Sequence, residues 1–215
     1  MTEDRKLHRR PAGGRPPKQR AEEAGTRILE TATHLFASRG FAGTSVEQVA
    51  SACGAGKDTI YRRFPSKVAL FEAVVEHVRD RALDRLNGLA PVDGDALKQL
   101  KALLRAYLSI NMEPDLVALK RIAFSEAVVF AKSSAASSGS DPFMERLVEA
   151  VRAAQADGFL RTGDAPSMAS HLIHSLVSLP TTNAMLGGSD YDSPEALDAH
   201  FAVIWLWMTE GVIAR

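Results

Sequence analysis

Between Lys57 and Arg62 the chain sets an ammonium, a carboxylate, a hydroxyl, a phenol and a guanidinium within six residues, KDTIYR. Counted at the helical rotation per residue, Asp58, Thr59 and Arg62 turn away from Ile60, with Tyr61 on the flank. A short rod with an apolar back and hydrogen-bonding groups on its front suits the reading of base edges. Arg62 can pair with guanine in bidentate fashion, a contact worth about 1–3 kcal/mol of discrimination. Asp58 can accept from cytosine N4, but it repels phosphate. The two are spaced i, i+4, so they can also simply pair with each other. Lys57 opens the same segment, and Lys67 follows just beyond Pro65. Bond-making chemistry has far less support. No nucleophile elbow, P-loop or dinucleotide fingerprint occurs. His171 and His174 share a helix face at i, i+3, with His200 on a neighbouring helix, yet no cysteine or carboxylate pattern completes a tetrahedral set. No catalytic residue, metal or cofactor is therefore assigned, and a hydrolase using His171 or His174 is the remote alternative.

These groups need a frame, and the stretch Thr44 to Phe64, TSVEQVASACGAGKDTIYRRF, reads as two short helices joined by a tight turn. Thr44 and Ser45 open the first, with Ser45 able to cap it. Free N–H groups at that start, or the Thr44 hydroxyl, can hold a backbone phosphate. Val46, Val49 and Ala50 form one apolar stripe. Cys53-Gly54-Ala55-Gly56 breaks the pattern, Lys57 to Phe64 resumes it, and Pro65 stops it. Ser66 then caps a further helix. This is the form of a helix-turn-helix, whose second helix enters the DNA major groove.

Upstream, Ala21 to Arg39 forms a helix whose inner face is Ile28, Ala32, Leu35 and Phe36, stopped by Gly40. Residues 26–72, TRILETATHLFASRGFAGTSVEQVASACGAGKDTIYRRFPSKVALFE, resemble the N-terminal DNA-binding domain of the TetR family of transcriptional regulators. The pieces that carry the resemblance are Leu35-Phe36-Ala37-Ser38-Arg39-Gly40-Phe41, Thr44-Ser45-Val46, Val49-Ala50 with Gly54, Thr59-Ile60-Tyr61 with Phe64, and Ser66-Lys67 with Leu70-Phe71. The resemblance implies that Tyr61 and Lys67 contact phosphate. It also implies a helical body that takes a small-molecule effector and pairs with a second copy. The sequence departs from the family pattern at Gly56, where a serine often caps the recognition helix, and at Asp58, where a small or basic residue is usual.

Net charge over the 215 residues is zero, but its distribution is uneven. Residues 1–67 carry 13 Lys+Arg against 7 Asp+Glu, and the remainder carries the opposite imbalance. A basic front on an acidic body fits a chain that meets phosphate at one end. Seven of those basic residues lie in residues 5–20, an arm rich in Pro and Gly. Its Gly13-Gly14-Arg15-Pro16-Pro17-Lys18 resembles an AT-hook arm, in which Arg15 enters a narrow minor groove. The alternative is a solvated leader that attracts phosphate without preference. A single cysteine, Cys53, excludes an internal disulfide framework and fits a cytoplasmic setting. It reads as a small buried thiol more readily than as a redox trigger. No stretch has the roughly 18 apolar residues of a membrane span.

The rest reads as helix throughout, so the fold class is all-α with about nine helices. Three domains are expected: a disordered basic arm at 1–20, a helix-turn-helix domain at 21–66, and a helical ligand-binding and dimerisation domain at 67–215. Helices run from Ser66 to about Asn87, Ala96 to Asn111, Pro114 to about Lys132, Pro142 to Gly158, Ala165 to about Leu186 (interrupted by Pro180), and Pro194 to near the end. GLAPVDG at 88–94 and SSAASSGS at 133–140 read as linkers. The last helix is apolar nearly all round and must be covered on most sides. Leu172, Leu176 and Leu179, with Phe201, Ile204, Trp205 and Met208, are the expected dimer interface. Phe124, Phe130, Phe143, Met144, Met168, His171, His174 and Met185 are the expected pocket lining. With few charges there, the expected ligand is apolar or aromatic.

Together these features predict a homodimeric repressor that binds a palindromic double-stranded operator and is released by a small molecule. The alternative is a protein that binds DNA nonspecifically through its tail.

Overall fold

A computed structural model describes residues 17–88, 93–127 and 141–210, with side chains from residue 21 onward. The described residues form nine helices: α1 (Pro17–Arg39), α2 (Val46–Cys53), α3 (Lys57–Arg63), α4 (Lys67–Asn87), α5 (Ala96–Asn111), α6 (Pro114–Ser125), α7 (Pro142–Ala156), α8 (Ala165–Met185) and α9 (Pro194–Glu210). Most of the expected arm with its Arg15, the 133–140 linker and Phe130 lie outside the described residues.

Six helix starts share one device. Ser45, Ser66, Asp95, Asp141, Asp164 and Ser193 each accept a hydrogen bond from an N–H of the first turn that follows. That turn has no carbonyl partner of its own, so a short side-chain oxygen is favoured there.

Three boundaries differ from the expectation. α1 begins at Pro17 rather than Ala21, because proline suits the opening of a helix, where its missing N–H would go unpaired anyway. α6 ends at Ser125 rather than near Lys132, and the Ser125 hydroxyl donates to the Ile122 carbonyl at 3.0 Å. Such a local side-chain bond competes with the helix ladder. Pro180 does not interrupt α8, which runs through it. Proline removes the N–H that would bond the carbonyl four residues back, here that of Leu176. The His200 ring of α9 supplies the replacement, its Nε2 lying 2.8 Å from the Leu176 oxygen.

Two apolar clusters hold the helices together. The first joins α1, α2, α3 and the front half of α4 through Ile28, Phe36, Val49, Ile60, Leu70, Phe71 and Val74. Phe41 and Phe71 each pack against Phe36, at 5.8 and 5.2 Å between ring centres. The second joins the back half of α4 to α5, α7, α8 and α9 through Leu86, Leu100, Leu104, Leu108, Leu147, Val151 and Leu176. Each fully buried side chain of this size contributes about 1.5–3 kcal/mol. α4 therefore belongs to both clusters. So does the link through α6, whose Leu119 and Ile122 are buried in the first cluster.

The packing corrects part of the expected interface. Leu176 is fully buried and Phe201 nearly so, both within the second cluster. They are core residues because the inner faces of α8 and α9 close over α5 and α7. Leu172, Ile204, Trp205 and Met208 are half-buried against that core. The open apolar surface is formed by Leu179, 57% exposed, Leu186, Val203, Leu206 and Trp207, 50% exposed. Among the described residues, no helix is long and apolar enough to cross a membrane.

Candidate nucleic-acid interface

α2 is fixed at both ends by its own sequence. Ser45 and Gln48 form a reciprocal box: the Ser45 hydroxyl accepts the Gln48 N–H at 3.2 Å, and Gln48 Oε1 accepts the Ser45 N–H at 2.8 Å. At the other end Gly54 adopts φ 65°, and its N–H reaches the Ala50 and Ser51 carbonyls. A side chain is strained in that left-handed region, which explains a glycine in the turn.

α3 lacks a side-chain cap, since Gly56 stands at its N-cap. Other contacts orient it. Ile60 is fully buried and Phe64 nearly so, which anchors its back. Lys57 Nζ lies 2.5 Å from Glu47 Oε1, tying the start of α3 to the first turn of α2. That hydrogen bond holds the Glu47 carboxyl below its ordinary range and raises the Lys57 ammonium above its own. Lys57 Nζ also sits 5.5 Å from the centre of the Tyr61 ring. At the far end Arg63 Nη1 donates to the Ala21 carbonyl of α1 at 3.0 Å. The Arg63 guanidinium passes over Gly25, where a Cβ would stand 2.4 Å from it. Arg63 thus clamps α3 to α1 instead of facing outward.

The outer face of α3 is left with Asp58, Thr59, Tyr61 and Arg62, all exposed. Among the ion pairs of the described residues none joins Asp58 to Arg62, and the Arg62 side chain is exposed on that face. Lys67 Nζ lies 4.4 Å over the Phe41 ring, beside the start of α4. Thr44 requires a correction. It is buried, its hydroxyl is 3.0 and 2.9 Å from the Leu35 and Gly40 carbonyls, and its N–H donates to Phe41. It stitches the end of α1 to the start of α2 and has no group left for a phosphate. Cys53 is buried.

Few of the described residues expected to line a pocket reach the apolar cavity beside α6. A cavity of about 280 Å³ lies between α4, α5, α6 and the start of α7, and among the described residues of that set Phe143 alone lines it. Phe124 is 74% exposed. Met144 and Met168 pack against the second cluster, and Met185 is half-buried away from the cavity. His171 and His174 are exposed, each ring Nδ1 2.7 Å from the carbonyl four residues back in its own helix. The apolar wall comprises Val75, Ala82, Ile110, Leu116, Leu119, Ala123 and Phe143, and polar groups come from Arg79, Tyr107, Asn111, Lys120 and Asp141. None of these five is among the pocket residues expected from the sequence. Lys120 had a legible signal, since it stands between Leu116 and Ala123 at i−4 and i+3 on the apolar stripe of α6.

Comparison with known proteins matches both halves of the molecule. Residues 28–74 match the family profile "Bacterial regulatory proteins, tetR family", and residues 98–203 match "AefR-like transcriptional repressor, C-terminal domain". The HTH-type transcriptional regulator UidR of Escherichia coli K12 is 34% identical over 74 residues, 34% of this chain and 37% of UidR. The HTH-type regulator YerO of Bacillus subtilis is 34% identical over 67 residues, 31% of this chain and 23% of YerO. The chain thus spans well under half the length of these curated relatives. Over nearly the whole chain, a TetR-family regulator from Mesorhizobium loti superposes with a TM-score of 0.72 at 27% identity, covering 88% of this chain and 96% of that one. A TetR-family regulator from Pectobacterium atrosepticum has the same fold, with a TM-score of 0.65 at 23% identity, covering 93% and 99%. Proteins of this kind are transcriptional regulators and not enzymes. From the helix-turn-helix head through the helical body, the chain belongs to the TetR family of DNA-binding transcriptional regulators.

Proposed function

We propose that this regulator is a homodimeric repressor that binds a two-fold symmetric operator and is released when a small molecule fills the cavity beside α6. The observation that carries the reading is the outer face of α3: a helix anchored by Ile60, Phe64 and Arg63 that presents Asp58, Thr59, Tyr61 and Arg62 to solvent. In the bound state Arg62 and Thr59 face base edges, Tyr61 and Lys67 meet phosphate, and Ser45 brings the opening turn of α2 to the backbone. Lys57 serves chiefly to position α3 through Glu47. Arg15 and its arm add a minor-groove contact.

The open apolar patch on α8 and α9 supports the pairing of two copies. Trp207, Leu206, Val203 and Leu179 lie exposed there, and large apolar side chains gathered on two neighbouring helices suit an interface. Two copies place two α3 helices on half-sites one helical turn apart. The description of the matched C-terminal profile as that of a repressor supports the repressive direction.

α6 supplies a physical link between cavity and head. Leu116, Lys120 and Ala123 line the cavity, while Leu119 and Ile122 are buried in the core that supports α3. A ligand that binds one position of α6 more tightly than another shifts the spacing of the two heads, by as much as its difference in affinity.

Selection of bound duplexes from a random pool tests the reading. A two-fold symmetric consensus is the expected result. Binding that ignores sequence and vanishes when residues 1–20 are removed would instead establish the tail-driven alternative.

A further inference from the structure

We propose that the cavity between α4, α5, α6 and α7 selects a small amphipathic anion, an apolar body ending in a carboxylate, with Lys120 as the residue that recognises the head. The proposal rests on the reading of this cavity as the effector site. Lys120 Nζ has one acceptor, Asn111 Oδ1 at 2.5 Å, although an ammonium carries three donors. No carboxylate pairs with it among the described residues. The other charges on the wall are already matched. Arg79 Nη2 lies 3.2 Å from Asp141 Oδ1, and Asp141 also caps α7 by accepting the Phe143 N–H at 3.1 Å. The wall is therefore left with one uncompensated positive charge.

That charge is partly withdrawn from water, and burial pulls the Lys120 ammonium down to about 8 from its ordinary value near 10.5. At neutral pH it is still charged, so it gains from an anion that completes its hydrogen bonds. Tyr107, on the same wall, is kept protonated by burial and by Asp141, and so can donate as well.

The remaining surface is apolar, with Val75, Ile110, Leu116 and Phe143 prominent. At about 280 Å³ the space lies just below the usual range for small-molecule sites, which suits a small ligand. A cationic ligand would meet Lys120 and find Asp141 occupied. An uncharged apolar ligand would exclude water from the ammonium and leave it unpaired, which is costly. A phosphate dianion would bring two charges against one. A monocarboxylate balances the site.

Calorimetric titration of the full-length protein, without DNA, tests this with three ligands of equal chain length: octanoate, octan-1-ol and octyltrimethylammonium. Octanoate should bind about tenfold or more tightly than either of the others at pH 7. Lys120→Met, which keeps the stem and removes the charge, should bring octanoate down to the level of octanol. Lys120→Arg should retain most of the preference. Equal affinity of the three ligands for the wild-type chain would overturn the proposal, and so would an octanoate preference that survives in a folded Lys120→Met protein. The wild-type comparison stands even if a variant fails to fold. Operator release is read separately: octanoate that binds through Lys120 yet leaves operator affinity unchanged would sink the effector reading and leave the ligand class intact.

Discussion

Arg62 and Asp58 are four residues apart on an exposed face, and yet none of the ion pairs of the described residues joins them. Their spacing permits a pair, but two exposed side chains gain little from one. Arg62→Ala should cost about 1–3 kcal/mol against the selected operator and relax preference at one base pair. Lys67→Ala should weaken binding evenly across sequences and flatten the slope of log affinity against log salt by about 0.9. Titrations over a salt series distinguish the two. Lys120 gives a prediction about stability. Its amine sits near 8 in the folded chain, below its unfolded value. The unfolded chain therefore binds more protons between those two values, and stability rises with pH across that window. Below it the full cost of the buried charge remains, on the order of 3 kcal/mol. Lys120→Met should therefore raise Tm by several degrees at pH 7, and the gain should shrink toward pH 10. Thermal melts at the two pH values check this. At this scale the exposed side of α3 was legible, because burial of Ile60 dictates which neighbours face outward. The fate of the Thr44 hydroxyl was not, because its acceptors, Leu35 and Gly40, belong to the preceding helix and its end.

Among the helices, α8 shows how a local rule is overridden from outside. Proline breaks helices because it leaves a carbonyl unpaired and crowds the turn before it. α8 keeps its course where the His200 ring of α9 takes that carbonyl, and Tyr191 packs edge-on to the same ring at 5.2 Å. His200→Leu should cost about 1–3 kcal/mol by leaving the Leu176 oxygen unpaired. Pro180→Ala restores the missing N–H, so it should recover most of that loss in the double variant. A His200→Leu penalty that is the same with proline or alanine at 180 would refute this role. Helix starts were largely legible, since Ser66, Asp95, Asp141 and Asp164 cap by contact with their own next turn. The end of α6 and the passage through Pro180 were not, because each depends on bonds that the apolar period does not report.

For the molecule as a whole, the decisive feature is the apolar surface left open on α8 and α9. Leu206→Glu combined with Trp207→Glu should leave each protomer folded, since both side chains are exposed. The variant should sediment as a monomer and bind a single half-site about as well as the full operator. Phe201→Ala should behave differently, losing about 3–5 kcal/mol of stability because its ring lies in the protomer core. Sedimentation velocity and thermal melts together separate the two outcomes. Ion pairs hold the same body at its edges, with Arg105 of α5 meeting Asp198 of α9 at 2.6 Å. Such exposed pairs contribute little to stability, so the apolar clusters decide it.

The sequence alone determined the all-helical class and the helix-turn-helix head, because these rest on periodicity, caps and turn residues, which act within one or two helical turns; the family followed from the resemblance of residues 26–72. Tertiary structure decided which apolar residues of α8 and α9 are core and which are open. It also opened a cavity beside Lys120, Tyr107 and Asn111, away from the expected methionines and histidines. The physical reason is that a helix apolar on several sides does not encode which side its neighbours cover. A cavity is bounded by several helices at once, and no single stretch of chain specifies where their packing falls short.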